Sequence, residues 1–253
     1  MLFKILIADS AGKDAGNYGK MPIWAECGFE VTGHVTELSA AVSAAVKQEC
    51  DMLVCINRQP DAIASELLQR LSRKRRSIPT LILSHFDDSR VMRECFLLGA
   101  VDYLTEPAEE RDIRDALSRA AEQLGKHVMR VEYLMALEHS LAMLPYTDDS
   151  ASLLKKLREF LVGVQGMTAT TELAADYFGL NRDYFARYFK KHLGMSFSAF
   201  YKGFLMEYAK LLLVSGHYRV HDVSRLLGFS STDYFAKIFR NATGKTPSAF
   251  KSL

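Results

Sequence analysis

The chain has 253 residues, enough for two domains with a core each, and no apolar run in it reaches membrane-spanning length. Its net charge is only +2 but is unevenly spread: from Lys155 onward 15 Lys+Arg stand against 7 Asp+Glu, a difference of +8, leaving 17 against 23, or −6, for residues 1–154. A basic end on an acidic body is the footprint either of nucleic-acid contact confined to one domain or of a solvated face without a partner.

The opening MLFKILIAD lacks the long apolar centre and small-residue cleavage site of a signal peptide, so a cytoplasmic protein is expected. Cys27, Cys50, Cys55 and Cys95 form no C-x-x-C pair. Buried free thiols are the default in that compartment, with redox sensing or metal binding as the alternative. Nearly continuous apolar runs over Leu2–Ala8, Phe29–Val35, Met52–Ile56, Thr80–Ser84 and Val101–Leu104 predict strands covered on both faces. Helical segments alternate with them around Ile23–Cys27, Leu38–Gln48, Ile63–Leu71 and Val91–Leu98. This order predicts an α/β domain with an open parallel sheet of five strands, and chemistry gathered at the carboxyl ends of the strands.

KILIAD, DMLVCINRQP, IPTLILS and GAVDYLTEP, taken together, resemble the receiver domain of bacterial response regulators over about the first 120 residues. The resemblance implies a flavodoxin-like fold, Ser84 at the small-hydroxyl position, Tyr103 at the aromatic switch position, and a cis bond between Glu106 and Pro107. Phosphoryl transfer to a receiver needs an aspartate nucleophile, a cation held by neighbouring carboxylates and a cationic side chain. Counting from Asp51 or back from Pro60, the nucleophile position is Ile56, with Asn57 beside it. The acidic pair after the first strand is reduced to Asp9 with Ser10, and Glu106 replaces the lysine before Pro107. These departures predict a pseudo-receiver that is not switched by aspartyl phosphorylation: not an enzyme, with no catalytic residue, cofactor or metal. Two other uses of the pocket stay open, a cation between Asp9 and Glu106 and oxidant sensing at Cys55. The basic run Arg73-Lys74-Arg75-Arg76, between a helix and a strand, reads as solvated loop.

From Glu109 to about Leu144 the pattern predicts one long helix. Leu117, Ala121, Leu124, Val128, Val131 and Met135 make one stripe, and Leu134, Leu137, Leu141 and Leu144 a second. Its first part should cover the receiver sheet. The rest either pairs with a second subunit as a short coiled coil, giving a homodimer, or packs within its own chain. Leu144 to Ser150, with Pro145 and a polar cluster, should stop the helix. The expected organisation is a pseudo-receiver over 1–122, a helical linker over 123–151 and an all-α domain over 152–253.

That last domain carries one motif twice. DYFARYFKKHLGMSFSAFYK from Asp183 returns fifty positions later as DYFAKIFRNATGKTPSAFKS from Asp233 to Ser252, and a repeated unit means one supersecondary design used twice. Thr171–Gly179 and Asp222–Gly228 read as helices closed by glycine. Asn181-Arg182 and Ser230-Ser231-Thr232 suit the caps of the next helices. On those, Phe185, Tyr188 and Phe189 share one side, as do Phe235, Ile238 and Phe239. Arg182, Asp183, Ala186, Arg187 and Lys190 lie opposite in the first copy, Thr232, Asp233, Ala236, Lys237 and Arg240 in the second. Helix, glycine turn and basic amphipathic helix spell a helix-turn-helix.

GFSSTDYFAKIFR, TGKTPSAFK and the tandem arrangement resemble the DNA-binding domain of AraC-type transcription regulators over about the last hundred residues. The resemblance implies two helix-turn-helix units joined by a long helix, here about Ser198–Val214. Leu205 and Lys251 stand where that family usually has arginine. The expected function is a sequence-specific DNA-binding transcription regulator of the response-regulator type, partnered by double-stranded promoter or operator DNA and by RNA polymerase, with no membrane association. Arg182, Arg187, Thr232 and Lys237 are expected at base edges, and Lys190, Lys191 and Arg240 at phosphates. Asp183 and Asp233 either accept from cytosine or cap their helices, and the duplicated Phe and Tyr residues are expected in the core. The competing readings are a scaffold protein and a regulator that senses a ligand or oxidant through its receiver-like domain.

Overall fold

The computed structural model describes residues 2–10, 12, 18–58, 63–145 and 147–251, arranged in two units, Met1–His127 and Val128–Leu253. Pro60, Tyr146 and Ser252, used above to count positions or to mark ends, lie outside the described residues.

In the first unit β1 (Phe3–Asp9), β2 (Phe29–Val35), β3 (Met52–Asn57), β4 (Thr80–Ser84) and β5 (Asp102–Thr105) form one parallel sheet in the order β2-β1-β3-β4-β5. That is the flavodoxin-like order. Successive side chains of a strand point to opposite faces, and here both faces are buried. Ile5, Ile7, Met52, Val54 and Ile56 pack on one side, and Leu6, Ala8, Leu53 and Cys55 on the other. Helices α1 (Ile23–Glu26), α2 (Leu38–Val46), α3 (Ile63–Arg73) and α4 (Ser89–Leu97) supply much of the covering layers. α4 starts two residues earlier than its apolar pattern, because Asp88 caps it by accepting from the N–H groups of Arg90 and Val91. The peptide bond between Glu106 and Pro107 is cis.

Helix α5 (Glu110–Ala142) contributes to both cores. Ile113, Ala116, Leu117, Ala120 and Leu124 pack under the sheet. Further along, Tyr133, Ala136 and Leu137 are buried in the core of the second unit, and Met129 and Leu141 pack against it. The Tyr133 hydroxyl donates to the Leu161 carbonyl at 2.7 Å, and its ring meets Phe204 and Tyr208 edge-on at 5.0 and 5.3 Å. Leu137, Leu141 and Leu144 of the second stripe are therefore covered by their own chain, while Val131 and Met135 of the first stripe are exposed.

The second unit continues with α6 (Asp148–Gly163), α7 (Thr171–Phe178), α8 (Arg182–Leu193), α9 (Phe197–Val214), α10 (Val220–Leu226), α11 (Thr232–Thr243) and α12 (Pro247–Lys251). α6 begins four residues before the expected Ser152. The Thr147 hydroxyl accepts from the Ser150 N–H and the Ser150 hydroxyl from the Thr147 N–H, so the polar cluster after Pro145 is a capping box that starts a helix. Leu205 packs against the core, and the Lys251 ammonium donates to the Tyr218 carbonyl at 3.0 Å. Both departures from the arginine pattern thus have a local role.

Candidate nucleic-acid interface

Each copy of the repeat is a short helix, a turn and a longer helix: α7 with α8, and α10 with α11. The second helices are built alike. The Asn181 side chain accepts from the Tyr184 N–H at 2.8 Å, and the Ser231 hydroxyl from the Tyr234 N–H at 3.1 Å. Both helices close on a left-handed glycine, Gly194 at φ 74° and Gly244 at φ 78°, a conformation that a side chain there would strain. Asp183 and Asp233 are consequently not the caps. They sit in the first turn, where a carboxylate complements the amino end of the helix dipole.

From Asn181 to Lys190 and from Ser231 to Arg240 the two copies bury and expose the same positions. Phe185, Phe189, Phe235 and Phe239 are fully enclosed, with Phe189 against Phe200 at 6.1 Å and Phe239 against Phe250 at 5.5 Å. The recurrent S-A-F segment thus makes the same aromatic contact twice. Ala186 and Ala236 are half-buried, whereas Arg182, Asp183, Arg187, Lys190, Lys191, Thr232, Asp233, Lys237 and Arg240 are exposed. The structure corrects the reading of the duplicated tyrosines as core: Tyr184 is 49% and Tyr234 50% exposed, on the rim of the basic faces.

Arg182 differs from the other cations. Its Nε lies 2.8 Å from Glu172 Oε1, joining α8 to α7. The Glu172 carboxyl is held below its usual range, first by a hydrogen bond from its own backbone N–H and further by the Arg182 charge. Among the described residues no ion pair engages Arg187, Lys190, Lys191, Lys237 or Arg240. An exposed cationic face at each of two helices is chemically suited to a polyanion.

The carboxyl edge of the sheet gathers most of the other predicted positions. Asp9 is the register partner of Ile56, and Asn57 of Ser84. Ile56 is fully buried. The Ser84 hydroxyl accepts from the Phe86 N–H and donates to its carbonyl, both at 3.1 Å, with the Asn57 amide at 3.4 Å. Tyr103 is buried and its hydroxyl donates to the same Phe86 carbonyl at 3.2 Å, while Ser10 is exposed. Two residues absent from the sequence reading complete the edge. Arg58 reaches Asp9 at 3.3 Å, and His85 reaches Glu106 at 3.0 Å. Asp9 and Glu106 therefore each take a basic partner of their own. A cleft of about 410 Å³ opens beside the second pair, lined by Tyr18, Met21, Leu83 and Ile113 among others. Cys55 is fully buried and its thiol is pushed up to about 12 by burial, unsuited to thiolate chemistry at the edge.

A flavodoxin-like unit of the receiver type and a tandem helix-turn-helix unit with exposed basic faces define the class: a two-part architecture in which one unit presents paired recognition helices. Comparison with known proteins follows the same division. The helix-turn-helix domain family matches residues 174–252. Regulatory protein PocR of Salmonella typhimurium is 36% identical over 80 residues, which are 32% of this chain and 26% of that one. Transcriptional regulatory protein FixJ of Rhizobium meliloti is 32% identical over 97 residues, 38% of this chain and 47% of that one. The chain spans between about a quarter and a half of the length of these relatives. The crystal structure of FixJ-N aligns at 25% identity and TM-score 0.41, over 48% of this chain and 95% of that one. No helix among the described residues is long and apolar enough to cross a membrane.

Proposed function

We propose that the chain is a cytoplasmic, sequence-specific DNA-binding transcription regulator of the response-regulator type, whose receiver-like domain works without aspartyl phosphorylation. The observation that carries this reading is the duplicated solvent-facing basic surface: two equivalent helices, each with an enclosed aromatic side and exposed cations that, among the described residues, pair with a carboxylate only at Arg182. Such helices enter successive major grooves, about 34 Å apart along one side of the duplex.

Arg187 and Lys237, at the centre of the two faces, read base edges together with Arg182 and Thr232. Lys190, Lys191 and Arg240 neutralise phosphate, with Asp183, Ala186, Asp233 and Ala236 completing the contact surface. Tyr184 and Tyr234 join them at the rim, where a phenolic hydroxyl suits a phosphate oxygen. Promoter or operator DNA is the partner, and RNA polymerase and a second copy of the chain belong to the same proposal.

The test is footprinting of the full chain on a library of promoter fragments. Two protected stretches about one helical turn apart are expected; equal binding to every fragment, or none in dilute buffer, would overturn the assignment. Independence from phosphorylation rests on Ile56, an enclosed hydrocarbon at the nucleophile position. Incubation with labelled acetyl phosphate and magnesium should leave the chain unlabelled, and label mapped to residues 1–122 would refute this part alone.

A further inference from the structure

The second unit holds a cavity that none of the DNA-facing residues uses. It has a volume of about 300 Å³ and lies between the carboxyl end of α5 and the first half of α9. It is an open groove with a mainly apolar lining: Leu144, Phe200 and Phe204 are buried, and Met143 and Met195 are exposed. Gly203 opens one side, since a Cβ built there meets no atom within 4 Å. Ser140 also lines the cavity. Its hydroxyl oxygen is buried and has no hydrogen-bond partner among the described residues. A buried polar atom of this kind is costly unless something else satisfies it.

We propose that this cavity is a binding site for a small, uncharged aromatic molecule carrying one hydrogen-bonding group. The thioethers of Met143 and Met195 and the rings of Phe200 and Phe204 suit a flat aromatic body, because methionine adapts its shape and makes favourable sulfur–ring contacts. The Ser140 hydroxyl both donates and accepts, so it selects for a polar substituent without fixing its direction. The ionisable groups lining it are His139 and Glu207, and Glu207 is already paired with Lys210 at 2.6 Å, so the apolar walls and the Ser140 hydroxyl, not a charge, set what the site selects. The volume is at the lower end of ligand pockets, about 300 to 1,000 Å³, which fits one or two fused rings. A molecule there touches both α5 and α9, and α9 is the helix that follows one recognition helix and precedes the second helix-turn-helix.

The probe is 1-naphthol, with naphthalene as the partner lacking the hydroxyl, titrated calorimetrically into the full chain without DNA. Saturable binding of one 1-naphthol per chain is expected. Ser140→Ala should weaken 1-naphthol about fivefold and leave naphthalene unchanged. Gly203→Leu, which fills the open side from an exposed helical position where leucine is a better helix former than glycine, should abolish both while the thermal midpoint holds. No saturable binding to the wild-type chain means a cavity that holds water alone, and overturns the proposal. So does a folded Gly203→Leu chain that binds as before. Because no DNA is present, either result leaves the DNA-binding reading standing.

Discussion

Replacing Arg187 by alanine separates base reading from phosphate attraction. The side chain is exposed at the centre of the α8 face and takes part in no ion pair among the described residues, so its loss should change folding stability by less than about 0.5 kcal/mol. Its effect on binding is then a contact effect. A guanidinium on a base edge contributes about 1 to 3 kcal/mol of discrimination, or roughly fivefold to a hundredfold in affinity for the preferred site. The same substitution should change little on a site already altered at that base pair. The control is Lys190→Ala, one turn towards the carboxyl end. Lys190, Lys191 and Arg240, the cations placed on phosphate, together give a slope of log affinity against log salt of about −2.7, at about −0.9 for each. Losing Lys190 should make that slope shallower by about 0.9 and weaken all sequences alike. Fluorescence anisotropy at four or more salt concentrations, on a preferred and an altered duplex, measures both quantities. An Arg187→Ala loss that is equal on the two duplexes removes this residue from the reading set, and a slope untouched by Lys190→Ala refutes the electrostatic assignment of the face.

Other consequences concern the scaffold that presents those faces. Asn181→Ala and Ser231→Ala each remove one helix cap and should each cost about 1 kcal/mol in urea denaturation; the double variant should cost their sum to within about 0.5 kcal/mol, since each acts in its own copy. Phe185→Ala should cost about 3 to 5 kcal/mol, whereas the neighbouring Tyr184→Ala should cost less than about 0.5 kcal/mol, a contrast that a core position for Tyr184 would erase. The Tyr133 and Tyr208 phenols are pushed well above their ordinary range, chiefly by burial. Stability that depends on them is complete below the unfolded tyrosine pKa of about 10, and falls as pH rises above it, because unfolded phenols ionise while the buried ones keep their protons. Alkaline titration followed by circular dichroism should show the helical signal lost together with the last part of the phenolate absorbance, and complete phenolate formation in a still-folded chain would contradict the burial.

The sheet was legible because its strands are covered on both sides. Ile5 and Ile7 face one layer and Leu6 and Ala8 the other, so the run is apolar throughout and needs no alternation to betray it. The recognition helices were legible because the same amphipathic pattern occurs twice with its capping residues and closing glycines. Less visible were features decided by tertiary packing. A second apolar stripe on α5 announces that something covers it, yet the same leucines serve a partner subunit or the chain's own core equally well until Tyr133 is seen against Leu161. Pro145 and the polar residues after it mark a break, but whether such residues end one helix or start the next depends on where Thr147 and Ser150 direct their hydroxyls. Tyr184 and Tyr234 sit next to enclosed phenylalanines in the chain, but at helical spacing they fall beside Lys191 and Asn241, so their exposure was available from periodicity and was masked by their aromatic type. At the sheet edge, Asp9 with Arg58 and Glu106 with His85 join residues from different loops, a pairing that no spacing along the chain encodes.

The two copies share a frame but not a decoration, and the difference bears on how the work divides between them. α8 carries Arg182, Arg187, Lys190 and Lys191, whereas α11 carries Lys237 and Arg240, with Thr232 opposite Arg182 in the alignment and exposed Asn241 opposite Lys191. Counterion release scales with the number of cations set on phosphate, so the first helix contributes more of the affinity and of its salt dependence. Thr232 and Asn241 carry no charge and gain little from the backbone alone. Their hydrogen-bonding groups do suit base edges, asparagine with adenine above all. On the DNA-binding reading both copies discriminate, and the first also carries more of the phosphate contact. The enclosed Phe185–Phe189 and Phe235–Phe239 pairs let each surface change independently, because every residue named in this difference is exposed whereas the aromatic pairs are not.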